Sequence, residues 1–258
     1  MSTTAPTSVE IPFPTAPDLH LSLRVAACKL TLRPGKDNMW VSGTYTDPTG
    51  ALPLRTAQEG GTLRISQGQS FPDFLRLFTG VPVFELALGT AQPYQLTFEA
   101  GASESELDLG GVPITRLIVK QGAGKYAIRF SSPNPQVMSL LDLDGGAGSI
   151  ELGSLANANL SEMSVDGGAG NYVLDFGGTL QRDAHIRLST GASSVELRVP
   201  ASTAAKVTAE STLGSVDVGD GYMKREGAFW SSGALAGAAP TLSIRSTVAL
   251  GTLRLRQT

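Results

Sequence analysis

The chain has 258 residues, of which 41% are hydrophobic, and it carries a formal net charge of −3. So small a charge disfavours a nucleic-acid partner, because phosphate binding needs a clustered basic face. No apolar run approaches the roughly 18 residues that span a bilayer, and a single cysteine excludes an internal disulfide framework.

The first segment, residues 1–18, is rich in Ser, Thr and Pro and predicts a flexible N-terminal tail. It lacks the charged and apolar regions of a secretory signal peptide. Together with the lack of a spanning segment, this composition predicts a cytoplasmic protein. An envelope-associated location is the alternative if the native protein begins further upstream.

Residues 19–95 predict an N-terminal β subdomain. Apolar residues alternate with polar ones on both sides of Ala27, a pattern that is typical of strands with one buried face. The alternating residues are Leu21, Leu23, Leu30 and Leu32.

A helical insertion is predicted within this subdomain. Ser70 is a candidate N-cap, and three aromatic residues after it have the spacing of one helix face. They are Phe71, Phe74 and Phe78. The short helix either packs against the strands as a lid or presents an aromatic surface to a partner, and the sequence leaves both interpretations open.

Residues 96–258 repeat the phrase Gly-Ala-Gly or a close variant of it. Apolar residues lie six and four positions before its middle residue and resume three and five positions after it, so each unit is predicted to be strand, tight corner and strand. Periods of about 22 residues indicate stacked supersecondary units. The successive middle residues are Ala102, Ala123, Ala147, Ala169, Ala192 and Leu213.

We therefore predict an all-β fold, a repeat-built, right-handed β-solenoid similar to a single-stranded β-helix. Strands of successive coils should pair in parallel. Leu143, Val165 and Leu188 share one register position and should form a stacked apolar column. Ala169, which lies between two glycines, is expected to point into the tight corner.

A second irregular segment, residues 219–240, holds three more aromatic residues. These are Tyr222, Phe229 and Trp230. A long loop with aromatic anchors is the simpler interpretation, and binding of a ligand or partner by such a loop is the alternative.

Several carboxylates occupy outward positions in neighbouring coils and suggest an acidic face. They are Asp142, Asp144, Glu151, Asp166 and Asp175. Carboxylates clustered on a solenoid could serve metal binding or general acid/base catalysis. Basic residues such as Lys120, Arg187 and Arg198 hold outward positions in other coils, and they favour a solvated face. The chain contains none of the common hydrolase, phosphate-loop or zinc-protease motifs, so no catalytic residue, cofactor or metal site is predicted.

The repeated phrase and the C-terminal sequences resemble the toast-rack domain. The C-terminal residues that carry this resemblance are Gly219-Asp-Gly-Tyr222, Phe229-Trp-Ser-Ser-Gly233 and the last strand pair, Leu242 to Leu255. That domain is shared with LiaF-type cell-wall-active-antibiotic response proteins and is similar to bacterial adhesin head domains. The resemblance implies a β-solenoid-like fold and a role in sensing or organising the cell envelope. The membrane segments of LiaF-type proteins do not occur in this sequence.

These patterns predict a non-enzymatic bacterial interaction or scaffold module with a protein partner. The partner would be a second copy of the chain or an envelope or signalling protein. Two alternatives remain open in the sequence. One is a polysaccharide-acting β-helix enzyme that uses the acidic face, and the other is a small-ligand or peptide sensor that uses the aromatic segments.

Overall fold

The computed structural model describes residues 5–258 except for residues 37, 51 and 69–79. This part of the chain is all-β and solenoid-like, as the repeat predicts. A 3-10 helix spans Leu155–Ala158, and a single-turn helix, α1, spans Ser232–Leu235. The strands are β1 Thr7–Pro12, β2 His20–Pro34, β3 Met39–Thr46, β4 Leu54–Glu59, β5 Thr62–Gln67, β6 Val83–Leu88, β7 Tyr94–Asp108, β8 Ile114–Arg129, β9 Met138–Gly153, β10 Leu160–Asp175, β11 Ala184–Val199, β12 Ala204–Val218, β13 Tyr222–Arg225, β14 Ala228–Ser231 and β15 Thr241–Gln257.

The long strands stack in parallel and form the body of the protein. Their order in space is β2–β7–β8–β9–β10–β11–β15–β12, and each strand supplies one coil. The middle residues of the repeated phrase pair with one another: Ala102 pairs with Ala123, Ala123 with Ala147, and Ala147 with Ala169. The predicted register is therefore confirmed across these coils.

Each Gly-Ala-Gly phrase shifts the alternation of buried side chains by one residue. In β10, for example, Val165 and Tyr172 are both buried although one is odd-numbered and the other even-numbered. The chain turns around a shared interior at this point. Gly167 leaves room for the Tyr172 ring, because a Cβ on Gly167 would lie 2.5 Å from the Tyr172 hydroxyl oxygen.

The predicted apolar column is present. Leu143 pairs with Val165, and Val165 pairs with Leu188, so their side chains stack along the solenoid. All three are about 1% exposed. Burial of such columns on successive coils is the main stabilising contribution that one isolated coil cannot supply.

The prediction that Ala169 points into the corner is wrong. Ala169 is exposed, and so are the equivalent Ala123, Ala147 and Ala192. The two glycines, rather than the alanine, come close to the neighbouring coil: a Cβ on Gly168 or Gly170 would lie about 2 Å from a carbonyl oxygen of β9. The alanines therefore form a ridge on the outside of the corner.

Replacing Ala169 with leucine should be tolerated, with a change in unfolding free energy within about 0.5 kcal/mol, because surface substitutions away from special contacts have small effects. Urea unfolding followed by circular dichroism gives the measurement. Loss of more than about 1 kcal/mol, as overpacking of an interior corner would produce, would contradict an outward Ala169.

The coils at the C-terminal end are not stacked in sequence order. The sequence predicts that the coil around Leu213 follows the coil around Ala192. Instead β15 lies between β11 and β12, where Leu250 pairs with both Ala192 and Leu213. β12 thus becomes the last full coil of the stack, and β13, β14 and α1 follow it.

The N-terminal end is closed by shorter strands. β5 pairs with the first half of β2 and β6 with its second half, and β3 and β1 extend the sheet beyond β6. Residues 7–12 form β1, with Val9 buried, so the prediction of a flexible tail is wrong for this segment. The domain boundary predicted at 95/96 falls inside β7, which pairs with β2 on one side and β8 on the other.

Candidate interaction face

Of the predicted aromatic binding residues, the structure describes Tyr222, Phe229 and Trp230. Phe71, Phe74 and Phe78, with the helix predicted there, lie outside the described residues. Tyr222 and Phe229 are half-buried and pack against the core. Burial raises the pKa of Tyr222 to about 12, which fits a ring that anchors the β13–β14 hairpin to the end of the stack.

Trp230 is placed differently from the other two. It pairs with Lys206 of β12, and the Lys206 ammonium lies 5.1 Å from the centre of the indole ring. Lys206 is exposed on the outside of the coil, so Trp230 extends that outer surface. A cation over an indole face is a stabilising contact, and it ties the hairpin to the charged exterior of the solenoid.

Outward residues before the corners form one surface, which we call the front face, and those after the corners form another, the back face. The predicted acidic face is divided between them. Asp142, Asp144 and Asp166 lie on the front face, whereas Glu151 and Asp175 lie on the back face beside Arg198. The sequence prediction of one acidic face is therefore wrong, because the corner turns the two halves of each coil in different directions.

The front face carries an acidic band on β9 and β10. Asp142 and Asp144 project from β9, and Asp166 projects from β10 together with Glu162, which the sequence analysis missed. These carboxylates follow parallel strands and do not converge. In the described part of the chain, no group of three or more His, Cys, Asp and Glu side chains is arranged to hold a metal ion.

A basic band lies directly beside the acidic one. Arg187 of β11 pairs in register with Arg245 of β15, and both side chains are exposed. His185 and Lys206 line the same groove, whose volume is about 440 Å³. Like charges in register on neighbouring strands repel each other. The band therefore favours the approach of a negatively charged group.

Neither Arg187 nor Arg245 has a carboxylate within ion-pair distance among the described residues. Arginines on the back face differ. Arg198 lies 2.6 Å from Glu196, and Arg256 lies 2.5 Å from Asp217. Arg187 and Arg245 are thus available for an external partner, while these back-face arginines are already engaged.

From the sequence alone, Arg187 is a charge that neutralises the acidic residues. The basic band could not be predicted, because Arg245 belongs to a coil far along the chain. Stacking in sequence order would have placed Thr208 beside Arg187, whereas the insertion of β15 places Arg245 there. Only the actual order of coils brings the two guanidinium groups together.

The side chains that could act as nucleophile or base are poorly placed for catalysis. Cys28 is buried, and burial raises the pKa of its thiol to about 12, so the thiol stays protonated near neutral pH. His20 lies on β2, the same strand as Cys28 and far from His185 on β11, with Nε2 2.9 Å from the Thr97 hydroxyl. His185 is exposed next to Glu162 and Ser243. The arrangement suits recognition of a charged surface better than bond cleavage.

A known protein family matches the N-terminal part of this chain. The model of the N-terminal domain of toast_rack, DUF2154, matches residues 2–153. No curated protein sequence matches the chain. No helix of the described residues is both long enough and apolar enough to cross a lipid bilayer.

Solved structures are similar to this chain at low sequence identity. A candidate cell adhesion protein from Clostridium sporogenes aligns with a TM-score of 0.51 and 14% identity, over 98% of this chain and 100% of that one. A candidate adhesin from Bacteroides fragilis aligns with a TM-score of 0.40 and 10% identity, over 99% and 98% of the two chains. A candidate lipid-binding protein from Parabacteroides distasonis aligns with a TM-score of 0.40 and 13% identity, over 96% of each chain. At 14% identity, the likeness to the Clostridium structure concerns the fold alone.

Proposed function

Because this chain belongs to the toast_rack family, whose N-terminal domain it carries over residues 2–153, we propose that it is a non-enzymatic module that binds a protein partner through its front face. The observation that carries the proposal is the pair of exposed, unpaired arginines, Arg187 and Arg245, in register on neighbouring strands. A partner with a carboxylate-rich surface offsets their mutual repulsion.

The neighbouring bands of opposite charge fix the orientation in which a partner can bind the front face. A partner that presents acidic groups to β11, β15 and β12 and basic groups to β9 and β10 fits in one orientation. Each exposed ion pair contributes about 0.2–1 kcal/mol. Several pairs are therefore needed, and their main effects are on orientation and on the rate of association.

The saccharide-cleaving enzyme is less well supported. That alternative relied on five carboxylates on one face, and the structure separates Glu151 and Asp175 from the other three. The peptide-sensor alternative relied on aromatic segments, of which Tyr222 and Phe229 are packed against the core. An interaction module needs only an exposed, charged surface, and the front face provides one.

The setting that we propose is the bacterial cell envelope, with a role in its organisation or in stress sensing. The resemblance to cell-wall-active-antibiotic response proteins supports this assignment, and the Clostridium structure, that of a candidate cell adhesion protein, is compatible with it. The cytoplasmic location stays a prediction from the N-terminal composition. Fractionation of the producing bacterium, with an antibody against the chain, would decide between a cytoplasmic pool and an envelope-associated one.

Reversing the charge of the basic band, with Arg187→Glu and Arg245→Glu together, should reduce capture of the partner from an extract of the producing bacterium by more than about tenfold, since the acidic partner would then be repelled. Quantitative mass spectrometry of the captured proteins gives the measurement, at low and at high salt. Capture by the wild type should weaken as salt rises.

A matched control reverses two arginine charges at another place on the surface. Arg33→Glu with Arg55→Glu changes two exposed arginines at the N-terminal end of the solenoid. This variant should retain the partner. Equal capture by the wild type and the Arg187/Arg245 variant, or equal losses in both variants, would reject the front face as the binding surface.

A further inference from the structure

The two ends of the solenoid differ in how they are closed. At the N-terminal end, β5 and β6 cover both halves of β2. At the C-terminal end, β14 pairs with β12 at Lys206 and Val207, and α1 packs near Thr203. Within the described residues, no strand pairs with the outer edge of β12 from Thr208 to Val218. Most of the last coil therefore presents an open strand edge.

The core is also open at this end. Val216 and Val218 of β12 are partly exposed, whereas the equivalent Leu253 and Leu255 of β15 are completely buried. Leu213 at the corner of β12 is 68% exposed, and Leu250 beside it is 52% exposed. Open edges with apolar side chains tend to pair with another strand, and stable proteins usually block or cover them.

We propose that a second copy of this chain covers the open edge, through antiparallel pairing of β12 with the partner's β12 about a twofold axis between Leu213 and Gly214. In this register Ala209 lies opposite the partner's Val218, and Ser211 lies opposite the partner's Val216. The two solenoids then join end to end into one continuous sheet with a shared core.

The corner makes this pairing self-complementary. Inward residues of β12 are odd-numbered before the corner and even-numbered after it. A twofold axis between residues 213 and 214 pairs odd positions with even ones, so inward side chains of one copy meet inward side chains of the other. A regular strand without the shift would place buried positions opposite exposed ones in this register.

The length of the open edge fits the same axis. Residues 209–218 are symmetric about it, and β14 occupies β12 only as far as Val207 among the described residues. The exposed Leu213 falls next to the axis, opposite the partner's Gly214 and diagonal to the partner's Leu213, and the contact reduces its exposure to water. An isologous contact of this kind closes at two copies.

One kind of like-charge contact arises twice in this register, once from each copy, and is offset within each chain. Glu210 lies opposite the partner's Asp217, and each Asp217 is already paired with Arg256 of its own chain at 2.5 Å. Arg254 also neighbours Asp217 on β15. These two arginines supply positive charge beside both carboxylates.

The oligomeric state of the full chain tests the proposal. Sedimentation equilibrium of the wild type should give a mass that rises towards that of a dimer with concentration. Leu213→Lys places two like charges near the axis and should weaken dimerisation by more than about tenfold, with an unchanged circular dichroism spectrum. The Arg187→Glu and Arg245→Glu variant should still dimerise, which separates this interface from the front face. A monomer mass at every concentration would overturn the proposal.

A cross-link locates the contact. Leu213→Cys should form an intermolecular disulfide under mild oxidation, because the two introduced thiols lie close to the axis, while Cys28 is buried and should not react. Val137→Cys, at a position that is 45% exposed outside the strands, is the control and should stay unlinked. A dimer that persists in Leu213→Lys, or a Leu213→Cys cross-link no faster than that of Val137→Cys, would place the contact elsewhere and overturn the proposal.

Discussion

Replacing Gly148 with alanine should destabilise the protein by at least about 3 kcal/mol, because the new side chain has no room and the backbone conformation opposes it. A Cβ on Gly148 would lie 2.0 Å from the carbonyl oxygen of Gly124 in the neighbouring coil. The φ angle of Gly148 is 149°, a value that residues with side chains rarely adopt. Relief of this clash requires the two coils to move apart, which breaks their ladder of hydrogen bonds.

Urea unfolding of Gly148→Ala and the wild type gives the measurement. Ala147→Ser is the matched control: Ala147 is the next residue, it is exposed on the corner ridge, and its substitution should change the free energy of unfolding by less than about 0.5 kcal/mol. An unfolding midpoint for Gly148→Ala equal to that of the wild type would show that the coils are not in such close contact.

Replacing Val165 with aspartate should cost a similar amount, at least about 3 kcal/mol, by a different mechanism. Val165 is 1% exposed and lies between Leu143 and Leu188 in the apolar column. A carboxylate at this position has no cation within the column to pair with. It must be buried as an unpaired charge, take up a proton, or force the coils apart.

Thermal and urea unfolding at neutral pH measure this effect. Ser164→Asp, on the adjacent outward position between Asp142 and Arg187, adds the same charge where water can solvate it. This control should remain close to wild-type stability. If both variants unfold at the same midpoint, the inward register of β10 is wrong.

The sequence was sufficient to predict the repeat, its register and the buried positions. Alternation with period two identifies which side chains are inward, and the Gly-Ala-Gly phrase marks where that alternation shifts. The burial of Leu143, Val165 and Leu188 follows from these two signals alone. Both depend on local sequence, which is why they could be read without the structure.

The orientation of the corner could not be predicted in the same way. Small residues are needed wherever two backbones approach closely, and the phrase contains three small residues in succession. Which of them faces the neighbouring coil depends on the backbone angles at the turn. The structure shows that Gly146 and Gly148 face it, while Ala147 lies outside.

The charge pattern of the front face was the least predictable part of the structure. Its composition depends on which coil lies beside which, and similar repeats give no local signal for their order in space. The basic band needs β15 next to β11, and the division of the acidic residues needs the direction of the turn. The paired strand Thr7–Pro12 was missed for a related reason, since its partner β3 lies about thirty residues away along the chain.

The position of β15 between β11 and β12 has a mechanical consequence. In a solenoid stacked in chain order, a force applied at the C-terminal side acts on an edge coil, which peels away one hydrogen bond at a time. Here a pull transmitted through Gln257 acts on a strand that is bonded to β11 along one side and to β12 along the other. Extraction of that strand must break two ladders together and also frees β12, whose long ladder is to β15. A pull on β15 is thus resisted more strongly than a pull on an edge strand would be, because two neighbouring strands share the load.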